Sequence, residues 1–236
     1  MHDLRPLRAL AVRNGLNLFG LVDAVSFDRA QPPELRSAGV FPNCGSILVL
    51  GTGGARPSFE FCRQRGDLAR PVDARTAELL VDASVRGIAH ELGRLGIRAR
   101  RLGPEHGRLS FESLGEAAGF GVVSPVSGML LHPDFGPWLR VRAALLLEGA
   151  PFGDAPEASL PAHFKPCSGC DRPCVSACPP RAIAGDGSSD RRRCADYRFT
   201  GGCVDGCRAR QACPVGVEHA DLPGIPLHAH TLSDDA

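Results

Sequence analysis

Eight of the ten cysteines lie between Cys167 and Cys213, and their spacing is that of a ligand set. Cys167, Cys170, Cys174 and Cys178 form C-x2-C-x3-C-x3-C-P. Cys194, Cys203, Cys207 and Cys213 follow, the last again ahead of a proline, Pro214. Thiolates are soft ligands, and a [4Fe–4S] cube takes four of them from short loops. The bacterial ferredoxin run is C-x2-C-x2-C-x3-C-P, with its fourth cysteine crossing to the other cluster. The run here is one residue longer in the middle. Eight thiolates serve two cubes with none left over. Paired zinc sites stay open as an alternative, because Cys-x2-Cys also suits tetrahedral zinc, although zinc does not account for a close triplet ending in Cys-Pro. A single cluster with spare thiols is a further alternative. A disulfide framework fits poorly, since such frameworks belong to small secreted domains.

Those cysteines need a scaffold, and the composition supplies one. At 236 residues and 43% hydrophobic content the chain can build one large domain or two modest ones around a real core. A net charge of +1 exerts no overall pull on nucleic acid or anionic membrane. Lys165 is the only lysine. The first twenty residues carry charges and no long apolar core, so neither a signal peptide nor a membrane span is expected. A reducing cytoplasm suits this cysteine content.

Along the chain, residues 4–15 read as a helix with Leu7, Leu10 and Ala11 on one face and Asn14-Gly15 as its stop. Residues 18–24 read as a strand and 26–43 as a polar loop. The run SILVLG (46–51) reads as a central strand buried on both faces. Its Gly51-Thr52-Gly53-Gly54 turn lacks the full pattern of a nucleotide loop, but it could let a ligand approach the backbone. Cys44 and Cys62 flank it and read as small buried hydrophobes. Val81, Val85, Ile88, Leu92 and Leu95 predict a helix over 73–95, started by Asp73 and stopped by Gly96. An edge strand is expected over 97–102, its arginines 98, 100 and 101 facing solvent, then a short helix over 111–118. Strands over 129–131 and 138–147 are joined by the turn 132–136. This gives an α/β domain over 1–150, a linker over 151–166, a two-cluster ferredoxin-type module over 167–216 and a loose tail over 217–236.

The stretch AGFGVVSPVSGMLLHPDFGPWLRVRAALLLEG resembles the AGLGW…GK…L…P…GSW motif of the epoxyqueuosine reductases. The order of the cysteines is similar too, including the isolated Arg192-Arg193-Cys194-Ala195-Asp196-Tyr197. The resemblance covers most of residues 5–215, and the α/β half also resembles cobalamin-processing proteins of the same superfamily. It implies a nitroreductase-like mixed sheet with helices that binds cobalamin, followed by a small ferredoxin-like module with two [4Fe–4S] clusters. Carried over residue by residue, it assigns Cys167, Cys170, Cys174 and Cys213 to one cluster and Cys178, Cys194, Cys203 and Cys207 to the other. It makes Gly119, Gly121, His132, Gly136 and Trp138 the candidate cofactor contacts.

Two positions depart from the motif. Ser124-Pro125 stands where the reductases have Gly-Lys, and Glu105-His106 falls near the place of their catalytic aspartate. No catalytic residue is assigned on this basis. The expectation is a cytoplasmic iron–sulfur redox protein that passes electrons to a cofactor, cobalamin by resemblance. The alternative is a non-catalytic electron carrier or cobalamin-handling protein. An electron-donor protein (ferredoxin, flavodoxin or reductase) is the expected partner, and a membrane or nucleic acid is not.

Overall fold

The strands are placed by alternation on two long apolar runs. The computed structural model describes residues 2–54, 74–156, 160–161 and 163–220. β1 (Leu18–Asp23), β2 (Cys44–Gly53), β3 (Ala99–Leu102) and β6 (Leu139–Glu148) form one sheet in the order β1-β2-β6-β3, with every neighbouring pair antiparallel. A second, two-stranded sheet pairs β4 (Val122–Val123) with β5 (Leu130–Leu131).

Successive side chains on a strand point to opposite faces. On β2 and β6, Leu48, Leu50, Ala143, Leu145 and Leu147 therefore join Leu7, Ala11, Val81, Val85, Ile88 and Leu92 in one core cluster. Those partners come from α1 (Arg5–Arg13) and α3 (Ala74–Arg94). The alternate residues Ile47, Val49, Ala144 and Leu146 join Phe27, Phe111, Leu114 and Phe120 in the other cluster. These come from α2 (Ala24–Arg29), α4 (Phe111–Ala117) and the turn after α4. Both faces of the two central strands are covered. That is why their sequences read as unbroken apolar runs and not as the apolar–polar alternation of a half-exposed antiparallel strand.

The local stops are those of the sequence. Gly15 and Gly96 close α1 and α3 at φ +81° and +72°, a region that glycine enters without strain. Ser110 caps α4 by accepting a hydrogen bond from the Ser113 N–H at 3.2 Å. The expected cap Asp73 and the expected buried Cys62 lie outside the described residues.

Three details differ from the sequence reading. The stretch expected to be a polar loop begins with α2, because Asp23 caps that helix through the Ser26 N–H at 2.7 Å, and two short 3-10 turns follow it. The short strand β4 was not expected, since two residues carry no readable period. Residues 130–131 and 139–148 are strands as expected, but they belong to different sheets. Arg98 pairs with Glu148 at 3.0 Å and Arg100 reaches the Val40 carbonyl at 2.9 Å. Arg101 pairs with Asp82, and these contacts are made at the surface, where Arg98 and Arg100 are exposed as expected and Arg101 is half-buried.

Candidate metal centre

Residues 163–220 contain little that hydrophobic burial could hold. Only Cys178, Ala182 and Ala209 form a buried cluster there, with Cys174, Ile183, Cys194 and Cys207 packed around it. The helices are short: α5 (Pro173–Ser176), α6 (Arg191–Phe199) and α7 (Arg208–Gln211).

Each cysteine is placed by a turn or a helix end. Cys167 and Cys170 sit on a turn that contains Gly169 at φ +75°. Cys174 lies in the first turn of α5 and Cys178 just beyond its end. Cys194 lies within α6, whose start Asp190 caps through the Arg193 N–H at 2.9 Å. Cys203 adopts φ +53°, a strained region for a residue with a side chain. Cys207 is the N-cap of α7, and Cys213 follows that helix with its N–H on the Arg210 carbonyl at 3.1 Å.

The eight thiols gather into two groups of four. Cys167, Cys170, Cys174 and Cys213 line a cleft of about 390 Å³, and Cys178, Cys194, Cys203 and Cys207 line another of about 720 Å³. The grouping follows from α5 and α7 packing with opposite ends together. Cys174 at the start of one then meets Cys213 at the end of the other, and Cys178 meets Cys207. The charges tell the same story. Burial pushes the Cys174 thiol up, and its neighbours Cys213, Cys167 and Cys170 push further. Burial also raises Cys194, with Cys207, Cys178 and Cys203 adding to it against a lowering from Arg198. Cys213 rises by burial and by Cys167 and Cys170, opposed by a backbone hydrogen bond from Val215. A raised pKa keeps Cys174, Cys194 and Cys213 protonated, so a metal that takes them as thiolates would displace their protons.

The donor set fits iron–sulfur cubes. Among the described residues, no three His, Cys, Asp or Glu side chains converge closely enough to share one metal ion. Each group of four cysteines lines one cleft.

The first cleft is also walled by the α/β half. Ser124, Val126, Ser127, Met129 and Leu131 close one side of it. The Ser124 hydroxyl lies 3.2 Å from the Cys167 sulfur, and the Gly187 N–H donates to the Val126 carbonyl at 3.1 Å. Ser124 is a site residue that sequence reading passed over, noted only as a departure from the reductase motif.

The candidate cofactor residues lie elsewhere, and none of them lines either cleft. Gly119 ends α4 at φ +77°. A Cβ on Gly121 would meet the Leu131 carbonyl oxygen at 2.1 Å, and one on Gly136 would meet that of Val215 at 1.9 Å. His132 accepts hydrogen bonds at Nδ1 from the Asp134 and Phe135 N–H groups, and its ring stacks on Phe135 at 4.3 Å. Burial lowers its pKa, against the pull of Asp134. Trp138 is 3% exposed. The glycine turn after β2 is filled as well, since Phe135 packs on Gly53 and Gly54, and His219 stands edge-on to Phe135 at 5.0 Å. What approaches Gly53, Gly54, Gly121 and Gly136 among the described residues is protein. Glu105 and His106 are exposed in a short turn over Pro104–His106.

Neither the family models nor the curated proteins compared with the chain yield a match. Solved structures do match, and they define its fold as the one shared by epoxyqueuosine reductases and reductive dehalogenases. Epoxyqueuosine reductase from Bacillus subtilis superposes with a TM-score of 0.63 at 17% identity, covering 94% of this chain and 68% of that one. An epoxyqueuosine reductase with an epoxyqueuosine-modified tRNA-Tyr stem loop gives 0.64 at 17% identity, covering 96% and 68%. A reductive dehalogenase described as acting by B12-dependent dehalogenation gives 0.58 at 17% identity, covering 88% of this chain and 31% of that one. The fold resemblance read from the sequence is therefore matched. The chain spans about two thirds of the reductases and about a third of the dehalogenase.

Proposed function

We propose that this chain is an iron–sulfur oxidoreductase that binds two [4Fe–4S] clusters through its two cysteine groups and delivers electrons toward its α/β half. The observation that carries the reading is the gathering of eight cysteines into two groups of four, each around its own cleft. When bound, such clusters store and pass single electrons, at potentials set by hydrogen bonding and exposure around the sulfurs. The protein's part is to hold the sulfurs. Cys174 and Cys213 join the ends of α5 and α7, Cys203 holds its strained turn, and Asp190 fixes α6 so that Cys194 faces the second cleft. Ser124, Val126 and Met129 keep water from one side of the first.

The acceptor on the α/β half is the open part of the proposal. The fold shared with a B12-dependent dehalogenase supports cobalamin in that role. The packing of Phe135 and His219 on the glycine turn favours a second reading, in which the protein carries electrons or handles cobalamin without turning over a substrate. The near-zero net charge argued against nucleic acid, but a reductase of the same fold binds a tRNA stem loop, so modified tRNA belongs among the candidate substrates.

Anaerobic reconstitution with iron and sulfide tests the cluster reading. It should give about eight iron and eight sulfide per chain, with an EPR signal on reduction. Iron near four, or zinc in its place, would overturn it. A cobalamin titration of the reconstituted chain, followed by absorbance, tests for a corrinoid acceptor, and turnover with a candidate substrate separates the enzyme from a carrier or cobalamin-handling protein. A spectral change supports the corrinoid, while unchanged spectra and no calorimetric heat at high micromolar ligand leave the carrier.

A further inference from the structure

We infer that the Ser124 hydroxyl sets the reduction potential of the cluster held by Cys167, Cys170, Cys174 and Cys213. The inference rests on the cluster reading above. A serine hydroxyl has one proton to donate and two lone pairs to accept with. At Ser124 both acceptor positions are used: the Val126 N–H donates to Oγ at 3.2 Å and the Ser127 N–H at 3.0 Å. The Cys167 sulfur stands 3.2 Å from the same oxygen, so the remaining proton points at it. A metal-bound thiolate has no proton to return, which fixes the direction of the bond: Ser124 donates and Cys167 accepts.

The site is dry and rigid. Ser124 is 2% exposed, and its loop is tied further by the Ser124 N–H on the Met129 carbonyl at 2.8 Å and the Gly128 N–H on the Ser124 carbonyl at 2.9 Å. On its far side the loop abuts the cysteine segment again, where a Cβ on Gly128 would stand 2.5 Å from the Gly187 carbonyl oxygen. A donor aimed at a thiolate in such a place is worth more than in water.

Reduction adds one electron to the cluster and no proton, so negative charge on the sulfurs grows. A hydrogen-bond donor stabilises the reduced form more than the oxidised one and raises the potential. The second group has a different kind of donor, the Ala182 backbone N–H on the Cys178 sulfur at 3.3 Å. Ser124 comes from the α/β half, 43 residues before its cysteine. The potential of the first cluster is thus coupled to how that half is docked.

The test is an EPR-monitored redox titration of the full, reconstituted chain. Ser124→Ala should lower one of the two midpoint potentials, by about the amount that changes the reduced-to-oxidised ratio tenfold, ~59 mV for a one-electron couple. The other midpoint should stay, and so should the iron content. Ser124→Thr, which keeps the hydroxyl, should restore the wild-type value. In a Cys207→Ser background, where only the first cluster remains, the same shift should persist. Two wild-type midpoints that Ser124→Ala leaves unmoved would overturn the inference and leave the cluster reading standing, as would a shift that Ser124→Thr does not restore. A wild-type chain with no reducible cluster overturns both.

Discussion

The sheet domain and the cysteine segment are built on opposite principles. In the first, Leu7, Leu16, Ile47, Leu48, Leu50, Ile88, Leu92, Leu114, Leu145, Leu146 and Leu147 are fully buried, and each contributes about 1.5–3 kcal/mol by leaving water. In the second, the buried cluster is a cysteine and two alanines, and none of the nine residues of α6 is buried. One part folds because its side chains leave water, and the other lacks that drive. On the proposed function its order comes from ligation, with the metal-binding free energy serving as folding free energy.

That contrast can be broken most severely by removing the metal. Chelation of the reconstituted protein should abolish hydrogen-exchange protection across residues 163–220 while the strands of the sheet keep theirs. Equal protection in both parts before and after chelation would contradict it. A core truncation should do the reverse: Leu146→Ala should cost about 2–5 kcal/mol, lowering the melting temperature of the sheet domain with iron per chain unchanged. Gly136→Ala attacks the contact between the two parts. Its Cβ would stand 1.9 Å from the Val215 carbonyl oxygen at a backbone φ of +55°. A loss of about 1–3 kcal/mol is expected, read as lowered protection at 132–136 and 213–219.

The smallest effect concerns Cys44, the described cysteine outside the two groups. Burial pushes its thiol up from 9.0 to about 11. Folding therefore favours the protonated form. Its contribution to stability is complete below about pH 9 and is lost as the pH rises through about 11. Alkylation of Cys44 in the cluster-loaded chain, followed by mass spectrometry, should stay slow at pH 9 and accelerate toward pH 11. Fast modification at pH 8 would contradict the burial account.

The two principles also explain what could be read from the sequence. Leu48, Leu50, Val85 and Ile88 announce their elements because burial leaves a period in the sequence, and the central strand and long helix were legible from it. The cysteine spacing was legible because ligation restricts residue type. The helix α2 was not, since its signal is the single cap from Asp23 to Ser26 within a polar stretch. Gly121 and Gly136 entered as cofactor contacts by resemblance alone, and a glycine does not say what approaches it; here it is the backbone at Leu131 and Val215. Ser124 showed only as a departure from the reductase motif, because its partner Cys167 is brought to it by the docking of the two parts.

The central claim is that the eight cysteines act as two interleaved groups, and paired serine substitutions test it most directly. Cys170 and Cys213 line the same cleft, whereas Cys170 and Cys178 line different ones. After anaerobic reconstitution, the chain with Cys170→Ser and Cys213→Ser should keep about four iron and one EPR signal on reduction. The chain with Cys170→Ser and Cys178→Ser should lose both signals. If the first pair loses both and the second keeps one, the cysteines act in sequential groups and the account is wrong.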